Sequence, residues 1–224
     1  PPQFTDPPTT VQCRIEEPLP AMQETQDPNR LVFDFDPAAP WTEYVKTLPE
    51  WEIGLLVTTM GSITGHRELK QVLTDPQSTV QIVSSSYLSP SDSRGTYAWK
   101  IYTKDTIIVQ STGFAPGTTE YATKLRAETT AILAGLCFLY RFAQYSEIKI
   151  QAQKCIHYTS INSIVKRINW MRNDTTLHAT ATVQEDFDLR YQIKTIADKM
   201  PIQYTLEHVE RLTADERGTV PLAI

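Results

Sequence analysis

"TEYATKLRAETTAILAGLCFLYRF", residues 119 to 142, decides how the chain is read. From Ala127 to Leu139 it is apolar on nearly every side, so it reads as a long helix buried centrally rather than as an amphipathic surface helix. Such a helix needs other elements to cover it, and its neighbours in sequence supply them. Upstream, "STVQIVSSSYL" (78–88), "GTYAWKIYT" (95–103) and "DTIIVQSTGFA" (105–115) read as three strands, parted by the polar breaks "SPSDSR" and "KD". The "TKD" turn is tight enough for a hairpin, and three strands joined this way make an antiparallel meander. Downstream, "SEIKIQAQKCIHYTS" ends in a strand through Ile156, and Asn162 to about Met171 is a helix carrying Ile164, Val165 and Ile168. "EDFDLRYQIKTIADKM" (185–200) is a further helix with Phe187, Tyr191 and Ile196 as packing residues and acids in its first turn, where the helix dipole favours them. "PIQYTLEHV" (201–209) is a last strand. The order β-β-β-α-β-α-α-β predicts an α/β chain with a mixed five-stranded sheet flanked by helices.

The front of the chain is different. Residues 1–40 hold nine of the fifteen prolines and are expected to form an extended arm, with Leu31 to Phe35 docked on some surface. Residues 41–77 read as a helical connection segment: Trp41, Tyr44 and Val45 stand at helical spacing, and "GHRELKQVLTD" is a short helix with Leu69, Val72 and Leu73 on one face. The domain proper is then 78–216, with a polar tail at 217–224.

At 224 residues the chain can bury a real core. Its net charge of −5 repels nucleic acid overall, so contact with RNA or DNA would need a local basic patch. No apolar run approaches the length of a membrane span, so no membrane partner is expected. The opening Pro-Pro has neither a basic n-region nor an apolar h-region behind it, and an intracellular location, cytoplasmic or nuclear, is expected. Cys13, Cys137 and Cys155 are odd in number and widely spaced, and Cys137 and Cys155 read as small core residues in a reducing compartment. No nucleotide-binding glycine motif and no Gly-x-Ser-x-Gly occurs. The run "SSS" at 84–86 offers hydroxyls, but no histidine is placed beside it by sequence.

Four stretches carry a resemblance: "GTYAWKIY", "STGFAPGTTEYATKLRAETTAILAGL", "IHYTSINSIVKRI" and "DFDLRYQIKTIADKMPIQYTLEHVE". Together they resemble the ribonuclease H domain that follows reverse transcriptase in eukaryotic retroelement polyproteins, over roughly residues 40 to 216, and "KLRAETTAILAGL" is the most specific piece. "PWTEYVKTLPEWEIGLL" is similar to the segment joining polymerase and nuclease in such polyproteins. The resemblance implies a ribonuclease H-like fold and a site where four carboxylates hold two Mg²⁺ ions that cut RNA paired with DNA. Mg²⁺ is a hard ion that takes oxygen ligands, and two such ions a few Å apart repel unless anions lie between them.

Carried over by position, the helix glutamate of the family falls on Glu128, a catalytic and metal-binding candidate. The first-strand aspartate falls on Ser85, within one residue, and the third on Ser160. In the late loop His208 matches, while a glycine and a histidine become Arg211 and Leu212, and the fourth acid falls to Asp215 or a neighbour. Two of four ligands are therefore replaced by serine. This points to a catalytically degenerate domain with a structural or protein-interaction role, no cofactor, and a protein partner held by the proline-rich arm or the degenerate cleft. Two alternatives stay open. One is an active Mg²⁺-dependent ribonuclease H with acids relocated to Asp92, Asp186, Asp188 or Asp215; the other is a non-cleaving binder of RNA–DNA hybrid or duplex using Lys166, Arg167 and Arg172. Each residue also has a plainer reading. Glu128 pairs with Arg126 or Lys124, His208 is structural, Asp186 and Asp188 diverge around a helix, Asp92 belongs to a turn, and Trp99 and Trp170 pack in the core.

Overall fold

The computed structural model describes residues 41–61, 63–89, 94–103, 106–117, 122–173 and 186–210. The arm at 1–40, Cys13, Asp92, Arg211, Leu212 and Asp215 lie outside the described residues. Strands β2 (Thr79–Leu88), β3 (Gly95–Thr103) and β4 (Thr106–Phe114) form the antiparallel meander that their alternation predicts. Strand β5 (Lys154–Thr159) then returns parallel to β2, and β6 (Gln203–His208) lies parallel to β5. These five strands make the mixed five-stranded sheet that the order of elements predicts. A strand that sequence reading missed, β1 (Met60–Gly61), adds to the β4 edge and gives the order β1-β4-β3-β2-β5-β6.

Helix α4 (Lys124–Tyr145) lies across the sheet, and its residues from Ala127 to Leu139 are all buried. Thr123 starts it from an extended conformation, its hydroxyl accepting from the N–H of Arg126 at 3.0 Å. Just beyond its end, Glu147 takes a φ of 52°. Close approach to the sheet depends on Gly135: a Cβ there would stand 3.1 Å from Ile82 Cγ2 and 3.3 Å from His157 Cε1. Helices α5 (Asn162–Asn173) and α6 (Phe187–Lys199) complete the domain, α6 packing on both α4 and α5.

The helical segment ahead of the sheet shares this core. Helices α1 (Trp41–Lys46), α2 (Glu50–Leu56) and α3 (Ile63–Thr74) contribute Trp41, Val45, Leu56, Leu69 and Leu73 to it. The Trp41 ring stands edge-on to Phe138 at 5.2 Å and to Tyr145 at 5.5 Å. Arg141 of α4 grips Glu52 of α2 through both Nε and Nη2.

Two readings of packing residues need correction. Trp99 is fully buried as expected, but Trp170 is 43% exposed, because Ile164, Ile168 and Met171 are the residues α5 turns inward. Tyr191 is exposed to the same degree and stacks on Phe187 at 5.9 Å. Cys137 and Cys155 are both buried free thiols. Among the described residues no helix is long and apolar enough to cross a membrane.

Candidate functional site at the strand ends

Side chains on a strand alternate between faces, and the burial of β2 puts Val80, Ile82, Ser84 and Ser86 towards α4. On β5 the residues on that face are Cys155, His157 and Thr159. The two parallel strands thus deliver Ser86 and Thr159 to the first turns of α4, where Glu128 is fully buried. Glu128 Oε1 accepts from Thr159 Oγ1 at 2.6 Å, and Oε2 is enclosed with no hydrogen-bond partner among the described residues. Burial pushes the Glu128 carboxyl above its ordinary value, against the opposing pull of the Ser86 and Thr159 hydroxyls, the Ser160 N–H and the Lys124 charge. Ser86 Oγ also makes a long bond, 3.4 Å, to the Lys124 carbonyl.

Ser85 stands opposite Ala98 in the ladder, on the sheet face turned away from Glu128. Ser160 lies just past β5 and acts on Glu128 through its backbone N–H. The hydroxyls around the carboxyl are therefore those of Ser86 and Thr159, each one residue from the position that resemblance assigns. His208 ends β6 opposite Thr159, exposed, at the same end of the sheet.

Asp186 and Asp188 do not diverge. Asp186 precedes α6 with a φ of 58°, off the helical spiral, and both carboxylates reach Arg126. Nη1 bonds Asp186 Oδ1 at 3.0 Å, Nη2 bonds Asp188 Oδ2 at 3.0 Å, and Nε donates to the Pro116 carbonyl at 2.8 Å. Burial works against the charge on Asp188, but the Arg126 hydrogen bond and charge outweigh it and hold the carboxyl below its usual range. Arg126 is thus taken by these two acids and not by Glu128.

The basic residues separate as well. Arg172 donates to the Tyr204 carbonyl at 2.8 Å and lies over the Tyr204 ring at 5.3 Å, so it is built into the fold. Lys166 and Arg167 are exposed on α5, with Trp170 one turn on from Lys166. Arg167 borders a shallow depression with Thr129, Asp186 and Arg190, and burial together with the Arg167 charge lowers the pKa of Arg190.

Sequence reasoning missed the polar chain behind this site. His157 bonds Ser84 Oγ through Nε2 at 2.6 Å and the Tyr204 hydroxyl through Nδ1 at 3.2 Å. A histidine does stand beside the serine run; strand pairing, which spacing along the chain does not reveal, brings it there. His157 is fully buried and its pKa is pushed down to about 3 by burial, so the pair is a neutral core contact and not a nucleophile with its base.

The described residues alone do not supply the carboxylates that a pair of Mg²⁺ ions needs. Among the described residues no three His, Cys, Asp or Glu side chains converge to hold a metal. Neutral hydroxyls do not supply the charge that two adjacent divalent ions require.

No protein-family model matches the chain, and no curated protein does. Three solved structures match at low identity and with TM-scores under 0.5. LC11-RNase H1, in complex with an RNA/DNA hybrid, is 15% identical with a TM-score of 0.44, over 59% of this chain and 86% of that one. RNase H1 from the halophilic archaeon Halobacterium salinarum is 13% identical with a TM-score of 0.39, over 59% and 86%. The foamy viral protease-reverse transcriptase, in complex with double-stranded DNA, is 14% identical with a TM-score of 0.37, over 66% of this chain and 25% of that one.

Proposed function

We propose that this chain is a ribonuclease H-like domain of retroelement type whose nuclease centre is degenerate, kept as a structural or protein-interaction module. One observation carries the reading: Glu128 is fully buried and held by the Thr159 hydroxyl, with Ser86 beside it and no carboxylate supplied by β2 or β5. Asp186 and Asp188 are engaged by Arg126, which argues against their relocation as ligands. The test is incubation with a labelled RNA–DNA hybrid in Mg²⁺ and in Mn²⁺, with Glu128→Gln alongside. The expected result is an intact hybrid in every lane, and cleavage abolished by Glu128→Gln overturns the reading.

The exposed face of α5 favours a second reading, a non-cleaving binder of nucleic acid. Lys166 and Trp170 combine a cation with a half-exposed aromatic ring, the pairing that engages phosphate and base together, and Arg167 adjoins them. Arg172 drops out of that set because it is tied to Tyr204. This reading requires a complex with hybrid at low salt that weakens steeply as salt rises and is lost in Lys166→Glu. Absence of binding at low salt removes it.

A further inference from the structure

The mismatch between the metal centre that the fold implies and the side chains present leads to one inference, which rests on the reading above. We propose that Glu128, Thr159 and Ser86 form a metal-refusing latch: a hydrogen-bonded tie that fastens the first turns of α4 to the ends of β2 and β5.

Three features of the geometry converge on it. Glu128 has no exposed surface, and Mg²⁺ gives up its waters reluctantly, so it ordinarily keeps several of them in a site open to solvent. Oε1 is occupied by a 2.6 Å bond from the Thr159 hydroxyl, a donor that competes for the lone pair a cation would use. The Lys124 charge acts on the same carboxyl and repels an incoming cation. Oε2 is enclosed, with no hydrogen-bond partner among the described residues, so solvent does not reach it to complete a cation's shell.

The latch makes Glu128 a positioning residue for the fold, and this separates it from a ligand experimentally. Thermal melting of the full chain is followed without metal, with millimolar Mg²⁺ and with millimolar Mn²⁺, for wild type, Glu128→Gln and Thr159→Val. Neither metal should move the wild-type Tm. Glu128→Gln, whose amide oxygen still accepts from Thr159, should melt close to wild type. Thr159→Val, which strips the carboxyl of its donor, should melt about 2–6 °C lower. A metal-dependent rise in Tm that Glu128→Gln abolishes would show a ligand and overturn the latch, as would an unchanged Tm in Thr159→Val. If Glu128→Gln does not fold, Mn²⁺ binding to wild type followed by electron paramagnetic resonance decides, and a tight stoichiometric site overturns the proposal. The two failures are distinguishable: metal bound without cleavage removes the latch alone, whereas cleavage abolished by Glu128→Gln removes the degenerate-nuclease reading and the latch with it.

Discussion

Two buried glutamates sit near opposite ends of α4, one packed against the helix and one on it, and are handled in opposite ways. Near the C-terminal end of α4, Glu52 is only 4% exposed and is gripped through both oxygens by Arg141, with the Cys137 thiol 3.6 Å from Oε2. Near the N-terminal end, Glu128 is fully buried with hydroxyl and amide neighbours and no ion pair among the described residues. Burial alone therefore does not tell a reader what a carboxyl does; its partner does. Burial works against the Arg141 charge, but the Glu52 hydrogen bond and charge outweigh it and raise the Arg141 pKa. Glu52→Ala leaves that guanidinium without its counter-charge and should cost roughly 3 kcal/mol, the lower end for a broken buried pair because the Arg141 side chain keeps 21% of its exposure. Glu128→Gln should cost under about 1 kcal/mol, since the isosteric amide oxygen still accepts from the Thr159 hydroxyl. Urea melts of the two variants check the contrast, and equal losses would break it.

The next effect concerns His157, a third buried titratable group, and it has the opposite sign to Glu128. Its folded pKa of about 3 lies below its ordinary 6.5, so its contribution to stability is full above pH 6.5 and is lost as pH falls from there towards 3. At pH 4.5 the loss should reach about 2–3 kcal/mol, from roughly 1.4 kcal/mol per pH unit. Glu128, whose folded value is raised, instead costs stability as pH rises through that value, so acidification relieves it and partly masks the histidine. His157→Gln keeps neutral hydrogen-bonding groups between Ser84 and Tyr204 and should flatten the acid limb. Stability measured at several pH values between 7 and 4.5 in both proteins separates the two contributions. An acid limb unchanged in His157→Gln would sink the assignment.

These contrasts also explain what the sequence could and could not disclose. The run from Ala127 to Leu139 leaves no polar face to mistake, and the alternation of β2, β3 and β4 has a period that no helix shares. Glu128 was legible through the resemblance, whose helix glutamate falls on it. Its surroundings were harder to read. The three serines at 84–86 lack apolar markers, so nothing local fixes which of them faces α4, and a slip of one residue flips the face. The meeting of Asp186 and Asp188 on Arg126 depends on a positive φ that spacing does not encode. The two residues of β1 are too few to alternate and pair only because the helical segment lies beside β4. His157 meets Ser84 through the parallel pairing of β5 with β2, a contact made across the sheet.

The smallest effect sharpens the comparison by supplying its exposed counterpart. Arg126 holds two carboxylates as Arg141 holds one, but the Asp188 side chain is 62% exposed where that of Glu52 is 5% exposed. Solvent screens such a pair, so Asp188→Asn should cost only about 0–1 kcal/mol, and less still at high salt. Asp186, whose side chain is 5% exposed, remains on the same guanidinium and keeps it neutralised, which limits the loss further. Urea melts of Asp188→Asn at low and high salt check both statements. A salt-independent loss as large as that of Glu52→Ala would mean that the Arg126 cluster, and not the Arg141 pair, is the principal ionic tie between α4 and its neighbours.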